Sequence, residues 1–267
     1  MFWLLYDEDM EHGDITSEAV IPKEMEVRAC VIAREQCVLA GAEYVAKNLR
    51  ALEMKVDTLK DGTEVNDGTV VMEIQGNARR ILSVERTLLN ILGRMSGIAT
   101  ETRRIVEKVR RINPRIRIAA TRKTLWGYLD KIAVKTGGGD THRWNLGDMV
   151  MIKDNHLALV SLQQAIERAK RVSFTKKIEV EVECEEDAIK AAELGADIIL
   201  LDNLSPEEVC SLARKLRKYP VLVEVSGGIT PDNVEDYARC NVDIISMGYL
   251  THSAKSVNFS LEIEKER

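Results

Sequence analysis

The chain has 267 residues, of which 45% are hydrophobic and 30% are charged, and its formal net charge is −5. This composition is typical of a folded globular protein, and the length allows one large barrel or two domains. The modest negative charge does not favour a general nucleic-acid-binding surface. The apolar N-terminal run is too short for a signal peptide, and no segment approaches the roughly 20 apolar residues of a membrane span. We therefore expect a cytoplasmic protein with no nucleic-acid or membrane partner.

The cysteines are scattered along the chain, with no C-x-x-C pair and no zinc-binding spacing. An odd and scattered set of this kind is typical of reduced thiols in a cytosolic protein. We therefore predict free thiols at all of these positions, which are Cys30, Cys37, Cys184, Cys210 and Cys240.

The first hundred residues carry the patterns of a small α+β domain. Alternating apolar positions predict a strand over 26–33, and an apolar stripe predicts an amphipathic helix over 83–98. A second helix is predicted over 41–54. Two Asp-Gly turn signals follow, at Asp61 and Asp67, and bracket short runs such as 69–74. We assign residues 1–102 to this domain.

From about residue 103 the chain alternates between β-type runs and helical patterns. Strands are predicted at 116–120, 133–134, 149–152, 178–182, 198–201, 221–225 and 242–245. Helices are predicted at 161–171, 186–194 and 206–218, the last with Ser205 as N-cap and Pro206 at its first position. This alternation predicts a parallel α/β sheet that forms a barrel or near-barrel over 103–253. Period-two apolar residues after Thr251 predict a final strand within 254–267 that joins the N-terminal domain.

Polar residues cluster after the predicted barrel strands, where active sites of parallel β/α barrels lie. Cations follow the earlier strands and carboxylates the middle ones, and a hydroxyl and glycines follow the last two. Arginine forks bind carboxylates and phosphates bidentately, carboxylates suit sugar hydroxyls or Mg²⁺, and glycine-rich turns suit a sugar phosphate. The candidates are Thr121, Arg122, Lys123, His142, Arg143, Lys153, Glu181, Asp202, Ser226, Gly227, Gly228 and Gly248.

Ten segments, in this order, resemble the quinolinate phosphoribosyltransferase family, and together they span nearly the whole chain. No single motif decides the resemblance, but the ordered set is highly specific. The segments are Gly13-Asp14-Ile15-Thr16, Glu85-Arg86-Thr87, Ser96-Gly97-Ile98-Ala99-Thr100, Thr121-Arg122-Lys123-Thr124, Gly137-Gly138-Gly139, His142-Arg143, Ile152-Lys153-Asp154-Asn155-His156, Glu179-Val180-Glu181-Val182, Leu201-Asp202-Asn203 and Ser226-Gly227-Gly228-Ile229.

The resemblance implies an N-terminal α+β domain, an incomplete α/β barrel and a homodimer or higher even oligomer. It implies conversion of quinolinate and phosphoribosyl pyrophosphate to nicotinate mononucleotide, pyrophosphate and CO₂, with Mg²⁺ as cofactor. Arg86 would reach the partner's site to hold a substrate carboxylate. Thr121, Arg122, His142, Arg143, Ser226, Gly227, Gly228 and Gly248 would bind substrate, the last four around the 5-phosphate. Lys123, Lys153, Glu181 and Asp202 would be catalytic, and the two carboxylates would hold the metal directly, or through substrate or water.

Three alternatives compete with this interpretation. Lys153 could form a Schiff base in a sugar-phosphate aldolase on the same scaffold. A related pyrophosphorylase could act on a different acceptor, and the segment Leu125-Trp126-Gly127 does depart from the Thr-Pro-Gly that the family usually shows there. A non-catalytic module could use the cationic pocket only to bind a phosphorylated ligand.

Overall fold

The computed structural model describes residues 1–264 and divides them into two compact units. The first unit comprises Met1–Arg103, Tyr128–Gly138 and the C-terminal stretch that starts at Ala254. The second comprises Arg104–Gly127 and Gly139–Ser253. The segment Tyr128–Gly138 thus groups with the first unit, whereas the sequence analysis assigned it to the barrel. The end of the predicted C-terminal segment, 265–267, lies outside the described residues.

Helices and strands alternate through most of the described chain. The helices are α1 (Phe2–Asp9), α2 (Ile15–Val20), α3 (Ala42–Ala51), α4 (Ala78–Arg110), α5 (Tyr128–Thr136), α6 (Asp154–Leu157), α7 (Leu162–Ala169), α8 (Glu185–Glu193), α9 (Pro206–Leu216), α10 (Val234–Ala238) and α11 (Tyr249–His252). The strands are β1 (Glu26–Ala33), β2 (Cys37–Val38), β3 (Lys55–Thr58), β4 (Glu64–Val65), β5 (Val70–Asn77), β6 (Arg117–Ala120), β7 (Val150–Ile152), β8 (Ile178–Val182), β9 (Ile198–Asp202), β10 (Leu222–Ser226), β11 (Ile244–Met247) and β12 (Phe259–Ile263).

The first unit contains an antiparallel sheet with strand order β12-β1-β5-β3. Alternate residues of β1, namely Ala29, Val31 and Ala33, are buried, as the period-two pattern predicted. The final strand pairs with β1, with Val31 opposite Leu261. The predicted return of the C-terminal strand to the N-terminal domain is therefore confirmed.

Helix α4 is longer than predicted, because it begins at Ala78 and continues to Arg110. Ser83 therefore lies inside the helix and not at its start. Buried positions at Ile105 and Val109 continue the apolar stripe beyond a charged stretch that concealed it in the sequence. Gly97 lies where the C-terminal stretch crosses the helix, and a Cβ there would collide with the carbonyl of Lys255. Glycine is thus required for the close approach of the two backbones.

The predicted strand at 133–134 was wrong, because these residues lie in helix α5. A short apolar run cannot be assigned to helix or strand by periodicity alone. Leu129 and Ala133, one helical turn apart, are both buried. The helix ends before Gly138, whose φ is +92°. The glycines at 137–139 therefore follow a helix, and only Asp140 bridges to β6, at Ala119.

The second unit contains a parallel sheet with strand order β6-β11-β10-β9-β8-β7. Its strands match the remaining predicted barrel runs, and helices α7, α8 and α9 match the predicted helical intervals. Ser205 caps α9 as predicted, since its Oγ accepts a hydrogen bond from the backbone N of Glu208 at 3.3 Å. The expected incomplete barrel with an N-terminal α+β domain is confirmed.

The prediction of free thiols was wrong for two cysteines. Cys210 in α9 forms a disulfide with Cys240, which follows α10, across a sequence separation of 30. The pairing depends on the packing of two helices, and no local spacing in the sequence reveals it. Cys30, Cys37 and Cys184 are free. Within the described chain, no helix is both long enough and apolar enough to cross a bilayer.

A bidentate ion pair joins α4 to α5 within the first unit. The Arg94 Nε and Nη2 atoms donate to the Asp130 Oδ1 and Oδ2 atoms at 2.8 and 2.7 Å. The Asp130 side chain is fully buried, and that of Arg94 is 15% exposed. Removal of either partner would take this bidentate contact away from a largely buried charge, which is strongly destabilising.

We predict that Arg94→Ala lowers the free energy of unfolding by about 3–5 kcal/mol, because it removes a bidentate ion pair from the buried Asp130 carboxylate. Urea denaturation followed by circular dichroism measures the change. Lys215→Ala is the control, since the ion pair of Lys215 with Glu185 is about half exposed and should contribute about 0–1 kcal/mol. Equal effects of the two substitutions would contradict the prediction.

Candidate active site

A cavity of about 390 Å³ lies at the carboxyl end of the parallel sheet in the second unit. Its wall is mostly polar or charged, with Met151 and Leu200 as the aliphatic exceptions. The residues that line it are Thr121, Arg122, Lys123, His142, Arg143, Met151, Lys153, Glu181, Leu200, Asp202, Glu224, Ser226 and Ser246.

Alternation along the parallel strands explains why these side chains meet. Successive residues of a strand point to opposite faces, so residues two apart share one face. The lining residues of β9 are Leu200 and Asp202, and those of β10 are Glu224 and Ser226. The register pairs Leu200 with Glu224 and Asp202 with Ser226, which places equivalent residues side by side. Polar residues at alternate positions near the ends of these strands therefore form a polar cavity wall.

Most of the predicted site residues are brought together around this cavity. The predicted residues that line it are Thr121, Arg122, Lys123, His142, Arg143, Lys153, Glu181, Asp202 and Ser226. Gly227 and Gly228 follow Ser226 directly, and Gly248 lies against Thr121. Arg86 is an exposed residue of α4 in the first unit. Its predicted role concerns a second subunit and stays a prediction.

Gly227 fixes the contact between the ends of β9 and β10. Its φ is +97°, and a Cβ at this position would lie 2.5 Å from the backbone N and 2.8 Å from the Cα of Asn203. The Asn203 backbone N donates to the Ser226 carbonyl at 3.0 Å, which draws the two strand ends together. Gly228 also has a positive φ of +59°, but no atom would contact a Cβ there within 4 Å.

Arg122 and Arg143 both line the cavity and are close enough to repel each other. Burial lowers the pKa of the Arg143 guanidinium, and the positive charge of Arg122 lowers it further, whereas Glu179 and Asp148 raise it. The buried Arg143 Nε has no hydrogen-bond partner among the described residues. A guanidinium that is desolvated, repelled and only partly hydrogen-bonded is well suited to bind an anion.

The loop after β6, which carries Arg122 and Lys123, is held by hydrogen bonds. The Lys123 backbone N donates to Thr121 Oγ1 at 3.2 Å. The Lys123 carbonyl accepts from Thr251 Oγ1 at 2.7 Å, and Thr251 is fully buried in α11. These contacts keep the two cations at the cavity rather than on a freely moving loop.

Carboxylates reach the cavity from interior strands of the sheet. Lys153 Nζ forms a close ion pair with Glu181 Oε2, and Asp202 Oδ2 accepts from Asn203 Nδ2 at 2.7 Å. Glu181 and Asp202 lie on neighbouring strands and present oxygen atoms, which Mg²⁺ and sugar hydroxyls both prefer. The Lys153 side chain is thus held against a carboxylate in this structure.

Two buried carboxylates that the sequence analysis missed lie next to His142. His142 Nε2 is 2.7 Å from Glu179 Oε2 and 3.3 Å from Glu224 Oε2. Burial by itself lowers the pKa of His142, but contacts with Glu179 and Glu224 outweigh it and raise the pKa to about 10. Burial raises the pKa of Glu179, against the opposing effect of His142. The histidine is therefore an imidazolium at neutral pH.

The sequence does contain a pattern that points to Glu179 and Glu224. Glu224 is a lone charged residue inside the apolar strand β10, and Ser246 is a lone polar residue inside β11. Glu179 lies two residues before Glu181 and on the same face of β8. Ionisable residues are almost never fully buried unless paired, so a charge in a buried strand indicates a partner in the interior.

Two adjoining parts of the chain match the two domains of one known family. Residues 14–96 match the N-terminal domain, and residues 98–262 the C-terminal domain, of the family described as quinolinate phosphoribosyl transferase. The chain belongs to the quinolinate phosphoribosyltransferase family. The residues outside the two matched segments are few, so the family assignment covers nearly the whole chain.

Relatives and solved structures agree with membership of the quinolinate phosphoribosyltransferase family. A probable nicotinate-nucleotide pyrophosphorylase (carboxylating) from Methanothermobacter thermautotrophicus is 48% identical over 96% of this chain and 95% of its own. A protein of the same name from Archaeoglobus fulgidus is 47% identical over 95% of this chain and 99% of its own. The crystal structure of NadC from Streptococcus pyogenes has a TM-score of 0.89 and 36% identity, covering 99% and 96% of the two chains. These matches favour a phosphoribosyltransferase over the Schiff-base aldolase.

We predict that Gly227→Ala lowers the free energy of unfolding by about 3 kcal/mol or more, since it adds a collision with Asn203 to the strain of a positive φ. Gly228→Ala is the matched control and should cost about 1–2 kcal/mol, because only the strain of its positive φ applies. Thermal unfolding of the two variants measures the difference. If Gly228→Ala lowered the stability as much as Gly227→Ala, the collision with Asn203 would not be the cause of the destabilisation.

Proposed function

We propose that the protein transfers ribose 5-phosphate from phosphoribosyl pyrophosphate to the ring nitrogen of quinolinate, with release of pyrophosphate and CO₂, to form nicotinate mononucleotide for NAD biosynthesis. The observation that carries the proposal is the set of charged side chains that the strand ends bring to one cavity. Arg122 and Arg143 both line it and are close enough for the charge of one to act on the other, and Glu181 and Asp202 line it from neighbouring strands. The guanidinium groups suit the anionic groups of both substrates, and the carboxylates suit a ribose ring.

The acceptor has two carboxylates next to each other on an aromatic ring, so it needs several cationic donors in one place. Arg122, Arg143 and the charged His142 supply them. Guanidinium groups bind carboxylates through two parallel hydrogen bonds and thereby fix the plane of the ring as well as its position. Both substrates are anionic, and the cations also offset the repulsion between them.

The donor needs a site for its 5-phosphate and a counter-charge for its pyrophosphate. Ser226, Gly227, Gly228 and Gly248 would bind the 5-phosphate through backbone and hydroxyl donors, and Lys123 and Lys153 would contact the pyrophosphate. Glu181 and Asp202 would hold Mg²⁺ directly or through ribose hydroxyls or water, since both offer carboxylate oxygens at the cavity. When bound, the ion neutralises charge on the departing pyrophosphate.

The reaction follows from these placements. The bond between ribose C1 and the pyrophosphate oxygen breaks with its electron pair going to pyrophosphate, and the pyridine nitrogen forms the new bond to C1. The carboxylates of Glu181 and Asp202 stabilise the positive charge that develops on the ribose ring. The quaternised ring then accepts the electron pair of the adjacent carbon–carboxylate bond, CO₂ leaves, and a proton from solvent takes its place on carbon.

A second subunit has a defined part in this proposal. Arg86 is exposed on α4, and we propose that it holds a substrate carboxylate in the partner's cavity within a homodimer or higher even oligomer. We also propose a cytoplasmic location, because both substrates are highly charged and would not cross a membrane unaided.

We predict pyrophosphate release, in equal amount to CO₂, when the protein is supplied with phosphoribosyl pyrophosphate, Mg²⁺ and quinolinate. Nicotinate, supplied separately, should give no turnover because it lacks the second carboxylate that the paired guanidiniums bind. Turnover with nicotinate alone would support the proposed ribosyl transfer and contradict the proposed decarboxylation. Inactivity with both compounds would favour a different acceptor. The first variant to make would then replace Leu125-Trp126-Gly127 with the Thr-Pro-Gly that the family usually shows there.

We predict that Arg86→Ala and Arg122→Ala each reduce quinolinate turnover by at least about tenfold, since each removes a charge-assisted contact. If Arg86 acts across the interface, a mixture of the two inactive variants forms hybrid dimers with one intact site each. Random exchange of subunits would then restore about a quarter of the wild-type activity. No recovery, with subunit exchange verified by mass spectrometry, would place Arg86 outside the partner's site.

A further inference from the structure

A small ionic cluster lies at the wall of the cavity and is largely hidden from solvent. Its members are His142, Glu179, Glu224 and Ser246. The carboxylates of Glu179 and Glu224 are 0% and 1% exposed, and both approach the same nitrogen of His142, at 2.7 and 3.3 Å. Ser246 Oγ donates to Glu224 Oε1 in a close contact. Of the four residues, only Glu179 does not itself line the cavity.

Burial of the two carboxylates carries a large desolvation cost, which His142 and, for Glu179, also the charge of Arg143 offset. Neither oxygen of Glu179, nor Oε2 of Glu224, accepts a well-aligned hydrogen bond from the described residues. Buried charges persist only where they are paired, so the ion pair with His142 is their main compensation. Two carboxylates next to an anion-binding cavity weaken its positive potential. Apolar side chains would stabilise the fold as well as this cluster does, so its charges indicate a role in the site.

We propose that Glu179 and Glu224 are positioning residues that hold the His142 imidazole in one orientation, as a cation, for the carboxylates of the acceptor. The proposal rests on the proposed function for the identity of the acceptor. Two carboxylates next to one nitrogen hold that edge of the ring toward the interior and favour the charged form, because a cationic ring donates from its nitrogens and accepts from none. Ser246 in turn fixes Glu224, so the orientation is set by strands β8, β10 and β11.

A shared metal ion is the competing explanation, because the three residues place one ligand atom each within 4.8 Å. The shorter of the two distances from His142 Nε2 favours the ion pair. Two ligands of one tetrahedral ion lie about 3.4 Å apart when each metal bond is about 2.1 Å long. His142 Nε2 and Glu179 Oε2 are only 2.7 Å apart, which is a hydrogen-bonding distance.

The charge of His142 should be insensitive to pH over the working range. The groups that act on it are the carboxylates of Glu179 and Glu224, while Arg122, Lys123, Arg143 and Lys153 share the cavity with Glu181 and Asp202. A pKa raised to about 10 keeps the cation present at every pH below that value. Without the carboxylates the ring returns to its ordinary pKa of about 6.5 or below, so it loses its charge as the pH rises through that region.

We predict that Glu179→Gln and Glu224→Gln each raise the KM for quinolinate by about tenfold at pH 8, while the KM for phosphoribosyl pyrophosphate changes by less than about twofold. The double variant should show a KM for quinolinate that rises with pH above about 6.5, where the wild type stays level. Glu186→Gln, an exposed glutamate of α8, is the matched control and should change neither constant.

A double-mutant cycle separates action through His142 from a general loss of structure. His142→Asn should reproduce the selective rise in KM, and adding Glu179→Gln to it should change KM by less than about twofold more. An unchanged KM in the glutamine variants, or an equal rise for both substrates, would overturn the proposal. So would a stoichiometric metal ion in the purified protein that Glu179→Gln removes.

A direct measurement on the wild-type protein does not depend on turnover or on the stability of a variant. The chain has four histidines, so His142→Asn assigns the His142 signals in a nitrogen-15 NMR spectrum. We expect the His142 ring to stay charged from pH 6 to about 8.5, whereas titration near its ordinary pKa of about 6.5 would overturn the proposal. If the protein turns over no quinolinate, the proposed function fails, while this spectrum still decides whether the carboxylates hold a cationic ring.

Discussion

The parallel pairing of six strands is the constraint on which the rest of the second unit depends. Parallel strands end at the same edge of a sheet, so residues far apart in sequence meet there without any special contact between them. Asp202 and Ser226 are adjacent only because β9 and β10 run in the same direction in this register. The cavity wall is thus a consequence of topology, and its chemistry follows from which residues the sequence places at each strand end.

The cavity combines two requirements that oppose each other electrostatically. Binding of two anions needs clustered cations, which repel one another, as the effect of Arg122 on Arg143 shows. A ribosyl centre that becomes positive needs carboxylates nearby, which would neutralise the same cations. The structure takes the two sets from different segments of the chain, and Lys153 pairs with Glu181 where they meet. The one histidine of the wall is kept charged by Glu179 and Glu224, whose carboxylates are buried next to it.

Sequence patterns predicted the barrel strands and most of the cavity wall, because both depend on local periodicity. They failed where tertiary contacts decide the outcome. The apolar run at 133–134 would suit a buried strand or a buried helix, and its place in α5 shows that it is helical. Cys210 and Cys240 meet because α9 and α10 pack together. Glu179 was overlooked because its role depends on His142, which lies on a distant segment, and not on its neighbours in sequence.

The pairing of β12 with β1 has a consequence for how the chain is made. The first unit takes its edge strand from the end of the chain, after the whole barrel has been synthesised. During translation one edge of β1 therefore stays unpaired until β12 has been synthesised. An unpaired strand edge can pair with another chain and so promote aggregation. At Gly97 the last segment also packs closely against α4, so it docks on that helix as well as on β1. Assembly of this protein thus ends, rather than begins, with its N-terminal unit.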